Sequence, residues 1–133
     1  AHQPIIVDVN IMDQHLWYDT SPSAATLTDW DSVTVYLDKR GNIGSTPTSD
    51  SYRLDGQLNW YEPRANWQTA YRGNGKSWVS IPITFTTYNN WNGDVPPNVA
   101  GSHHGWFIAF SIPFSSLELS EPPPQGTVWG LGI

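Results

Sequence analysis

The chain predicts an all-β fold: an antiparallel β-sandwich of jelly-roll or immunoglobulin-like two-sheet form, with long loops. Three observations carry this. Apolar and polar residues alternate along several short runs, the period of a half-buried strand. Glycine and proline number 11 each in 133 residues and gather between those runs. No segment longer than a turn or two repeats at the helical period.

The elements follow in order. In "IIVDVNIM", Ile5, Val7, Val9 and Ile11 share one face and Asp8 and Asn10 the other. In "SVTVYLD", Val33, Val35 and Leu37 point inward, with Ser32, Thr34 and Tyr36 outward. "WVSIPITF" continues the pattern through Val79, Ile81, Ile83 and Phe85, and "GWFIAFSIPF" through Trp106, Ile108, Phe110 and Ile112. Pro82 and Pro113 restrict those two strands to edges, bulges or ends, because proline lacks the ladder N–H. "TVWGLGI" is a last strand, and "FSSLEL" fits a single helical turn. Segments 38–50, 88–105 and 120–126 read as loops, rich in Gly, Asn, Ser and Pro. We expect one domain over 1–133. The chain opens and closes on strand pattern, as a domain excised from a longer chain does.

Composition excludes several functions. Charged residues make up 14% and the formal charge is −6, which opposes a nucleic-acid partner. No apolar run is long enough for a membrane span. The absence of cysteine removes thiolate metal sites and cysteine nucleophiles. No Gly-x-Ser-x-Gly, His-Glu-x-x-His, P-loop or dinucleotide fingerprint occurs, and no pair of carboxylates stands out as a hydrolytic couple. The expectation is a protein without catalytic activity.

"GWFIAFSIPFSSLELSEPPPQGTVWGLGI" resembles the signature of family 9 carbohydrate-binding modules and their DOMON-like relatives, through Gly105, Trp106, Ile112, Pro113, Phe114, Leu117, Gly126, Trp129 and Gly130. Upstream, "DWDSVTVYLD" and "SDSYRLDG" resemble the acidic strand and the Tyr-Arg segment of those families. The family's opening Ile-Asp-Gly strand has no counterpart here. The resemblance implies a β-sandwich that binds saccharides, secreted or on a cell surface, in a bacterial setting. It implies a polar ligand contact at Arg53. Trp106, Ile112, Leu117 and Trp129 lie in apolar strands and read as core.

A pyranose offers an apolar C–H face and a rim of hydroxyls, so its site needs flat rings beside amides and guanidinium groups. Trp60, Trp67 and Trp91 lie in polar, turn-rich contexts. With Tyr61, Tyr71, Arg53 and Asn90 they form the expected carbohydrate site, Trp60 and Trp91 being the expected paired plates. Trp17 is expected in the core. The partner is a polysaccharide or oligosaccharide. The competing expectation is a structural or adhesive domain that self-associates. No cofactor is expected; structural calcium is the alternative, from Asp13, Asp19, Asp29, Asp31 and Asp38 at the ends of the first two strands and from the resemblance. Some DOMON-like domains hold b-type haem through Met and His. Here Met12 falls on the polar parity of its strand and His103 and His104 in a Gly/Ser loop, so haem is not expected.

Overall fold

The computed structural model describes residues 3–41 and 44–133. Residues 1–2, and residues 42–43 of the expected 38–50 loop, lie outside the described residues. The strands are β1 (Ile5–Met12), β2 (Ser32–Asp38), β3 (Ser51–Gln57), β4 (Gln68–Gly73), β5 (Trp78–Ser80), β6 (Thr86–Gly93), β7 (His103–Ile112) and β8 (Gly130–Gly132). They form two antiparallel sheets, ordered β1-β7-β6 and β5-β4-β3-β2-β8. The expected two-sheet, all-β class is the fold observed.

Alternation decides what the sheets bury. Val33, Val35 and Leu37 of β2, Tyr52 and Leu54 of β3, and Trp106, Ile108, Phe110 and Ile112 of β7 fill the space between them. Each fully buried aliphatic or Phe side chain contributes about 1.5–3 kcal/mol relative to exposure. Ile5, Val7, Val9 and Ile11 pack on this core but stay half-buried, because β1 lies at the edge of its sheet. Gly56 faces inward, where the core leaves no room for a side chain. A Cβ there would stand 2.7 Å from Ile108 Cδ1 and 3.1 Å from the Phe110 ring. A 3-10 turn, Ala24–Asp29, lies across the outside of the five-stranded sheet, with Leu27 buried and its carbonyl accepting from Gln57 Nε2 at 2.8 Å.

Three expectations need correction. The run "WVSIPITF" is not one strand. It ends at Ser80, before Pro82, and the chain then crosses to the other sheet, leaving Val79 and Ile83 exposed while Phe85 is buried. The stretch from 88 is not wholly loop either. β6 runs through "YNNWNG", paired residue by residue with β7, which overrides the poor strand propensity of Asn and Gly. Trp17, expected in the core, is 40% exposed. The helical turn in "FSSLEL" is present at Phe114–Leu117.

Candidate functional site

The expected site residues divide among three places. The first is the outer face of the five-stranded sheet. Antiparallel register aligns Tyr36, Arg53 and Tyr71 in one row across β2, β3 and β4, with Gly132 and Ser80 at its ends. The Arg53 guanidinium lies 5.0 Å from the Tyr71 ring centroid, and its Nε donates to Asp55 Oδ1 at 3.1 Å. Asp55 is itself buried and accepts from Thr34 Oγ1 at 2.5 Å and Thr69 Oγ1 at 2.6 Å. The fork is thus fixed from behind. Its two terminal nitrogens have no partner among the described residues.

Beside this row stands Trp78, whose ring is 5.9 Å from that of Tyr36 at a 40° tilt. Tyr36 and Trp78 flank a cleft of about 340 Å³ bordered by Ser45, Thr46, Ser51, Gly130 and Gly132. The glycines matter because β8 presents no side chains above the sheet here. The parity of Tyr36 in its strand predicts its outward face, as observed. Its pairing with Trp78 was not legible, because Trp78 and Tyr36 lie on strands separated by two others.

The second place is the end of the sandwich, where residues 13–19 bridge the sheets without joining either. Side chains satisfy its backbone. The Leu16, Trp17 and Asp19 N–H groups donate to His103 Nδ1 (3.0 Å), Asp31 Oδ2 (2.6 Å) and Gln57 Oε1 (2.6 Å). Asn98 takes both sides of Tyr18: its Oδ1 accepts from the Tyr18 N–H at 2.7 Å and its Nδ2 donates to the Tyr18 carbonyl at 3.0 Å. Trp67 donates its indole N–H to the Asp19 carbonyl at 2.8 Å. Trp60 and Tyr61 close over the strap, with ring centroids 5.5 Å and 5.9 Å from Tyr18. Burial, then hydrogen bonding with Tyr61, pushes the Tyr18 hydroxyl up to about 12. Tyr61 is 48% exposed, and Trp60 and Trp67 are half-buried.

The third place is β6. Trp91 faces the interior opposite Trp106 and packs half-buried on the core, while Asn90 faces outward. Trp60 and Trp91, expected as a pair of plates, make no ring contact with each other among the described residues.

The acidic residues also separate. Asp38 accepts from Ser51 Oγ and the Arg40 N–H, Asp19 accepts from the Ser21 N–H, and Asp29 is exposed. Asp13 and Asp31 do meet. Burial, then the hydrogen bond with Asp13, pushes Asp31 up to about 7. Burial works against the Asp13 anion, but hydrogen bonds with Asp31 and the His15 N–H outweigh it and hold Asp13 below the usual carboxylate range. Among the described residues no group of three or more His, Asp or Glu side chains converges as metal ligands. Met12 is 96% exposed, and both ring nitrogens of His103 are engaged, Nδ1 by the Leu16 N–H and Nε2 by the Pro96 carbonyl.

No protein-family model matches the chain, and no curated protein or solved structure shows significant similarity to it.

Proposed function

We propose that the chain is a non-catalytic carbohydrate-binding module whose platform is the outer face of the five-stranded sheet. The observation that carries this reading is the row Tyr36–Arg53–Tyr71 beside Trp78, with a guanidinium fixed on a tyrosine ring and its donors facing the solvent. Rings of this kind receive the C–H face of a pyranose, and the fork reads neighbouring hydroxyls or a sugar carboxylate. Buried Asp55 orients the fork before ligand arrives, so little side-chain entropy is lost on binding. A few stacked rings at ~1 kcal/mol each, with partly offset hydrogen bonds, give micromolar to millimolar affinity. The ligand is a polysaccharide or oligosaccharide, met outside the cell or at its surface.

Affinity electrophoresis through gels containing soluble β-glucan, xylan, mannan or pectin tests the reading. The chain should be retarded by at least one polymer, and Trp78→Ala should be retarded less by that polymer while keeping its unfolding temperature. Equal retardation of the two proteins would place the site elsewhere.

A second reading, self-association into a surface assembly, is favoured by one observation. β1 is an eight-residue strand with no neighbour on its free side among the described residues and neither lysine nor proline to block pairing. Light scattering separates the two, since a polymer that no polysaccharide retards supports assembly.

A further inference from the structure

We infer that the outer face of the three-stranded sheet is a second saccharide site, specific for neutral sugars, so that one module bridges two glycan chains; the ligand class rests on the reading above. Register sets Phe107 at the centre of this face, with Asn10 directly across on β1 and Asn90 directly across on β6. One row further, Gly105 lies between Met12 and Asn92. Gly105 is forced by close backbone approach, since a Cβ there would run into the Ile11 carbonyl. The missing side chain opens a hollow of about 290 Å³ bordered by Asn10, Asn90, Asn92, Phe107 and His104. Tyr88 extends the apolar floor, 55% exposed and edge-on to Phe107 at 6.3 Å.

The amides carry the argument. Asn10 and Asn92 have no side-chain partner among the described residues, and Asn90 uses only its Oδ1, accepting from the Trp91 N–H at 2.8 Å. Asparagine weakens a strand, yet three of them face outward around one ring. A rule broken at several neighbouring positions with no structural return marks a functional surface. Phe107 and Tyr88 offer the faces for pyranose C–H groups, and the amides offer both donors and acceptors for hydroxyls. No lysine or arginine lies on this face, so it has no counter-charge for phosphate, sulfate or uronate. The platform with Arg53 is on the opposite side of the sandwich, whose sheets pack about 10 Å apart. The two surfaces face away from each other, and each takes its own chain.

The test titrates the whole chain with cellohexaose, xylohexaose, laminarihexaose and mannohexaose by calorimetry with amide chemical-shift mapping. The expected result is two equivalents of at least one probe. The double variant Asn10→Ala/Asn92→Ala removes only exposed, unpartnered groups and so leaves the fold intact. It should lose one equivalent, with affinity there falling at least tenfold, while Trp78→Ala loses the other. A single equivalent lost in Trp78→Ala and untouched in the double variant would overturn the second site and leave the first standing. A single equivalent lost only in the double variant would support this site and remove the first. No binding of any neutral hexasaccharide overturns the proposal, and retention on pectin alone would then leave the Arg53 platform as the sole site.

Discussion

At the scale of single residues, Asp31 ties stability to pH. Its carboxyl accepts the Trp17 N–H, and burial, then its neighbour Asp13, raises its proton affinity to about 7. A carboxyl whose folded pKa exceeds its unfolded value of about 3.9 stabilises the fold fully below pH ~4. That contribution falls as pH rises and is gone above about 7. The lowered Asp13 acts in the opposite sense, but only near and below the ordinary carboxylate range. Asp31→Asn keeps an acceptor for Trp17 and a donor for Asp13. Urea unfolding at pH 8 should find it more stable than the parent, on the order of 1 kcal/mol once solvent screening at this half-exposed site is allowed for. The variant should also flatten the decline between pH 4 and 7. A parent chain whose stability rises across that interval would contradict the raised Asp31. A second residue-scale test is Gly56→Ala. The added methyl must displace Ile108 and Phe110, and a loss of about 1–3 kcal/mol is expected in the same unfolding assay.

At the scale of elements, the strap shows how much of the molecule lay beyond sequence reading. Alternation in β1, β2 and β7 is a local signal, and those strands, their inward faces and the burial of Trp106, Ile112 and Leu117 were legible from it. The strap has no such signal. Its hydrogen bonds come from Asp31, Gln57, Asn98 and His103, which are scattered along the chain and meet only after the sheets form. The same is true of the candidate site. Arg53 and Tyr71 were identified one by one, whereas the row they make with Tyr36 depends on strand register. Trp60 and Trp67 lie in polar sequence because their neighbours are turns, and their rings nevertheless cover the strap. β6 gives no alternating signal because polar Thr87 and Asn89 stand on its inward face as well as Asn90 and Asn92 on its outer one. Asn98 makes the strap directly testable. Asn98→Ala deletes both bonds to Tyr18 and should cost about 1–3 kcal/mol. Hydrogen exchange should show faster exchange at Leu16–Asp19 and unchanged protection in β7.

At the scale of the whole molecule, the account assigns saccharide recognition to sheet faces, not to loop-borne tryptophans at the end of the sandwich. The two sheets supply rigid spacing, and the chain carries its flat rings on outward strand positions where register fixes them. The aromatic cluster at the end has a different occupation in this account: it holds residues 13–19 against both sheets. Amide chemical-shift mapping with a retarding oligosaccharide tests this division most directly. Saturable shifts are predicted at Tyr36, Arg53, Tyr71 and Trp78, apart from those of the second face around Phe107. Shifts confined to Trp60, Tyr61 and Trp67, with the five-stranded sheet silent, would contradict it.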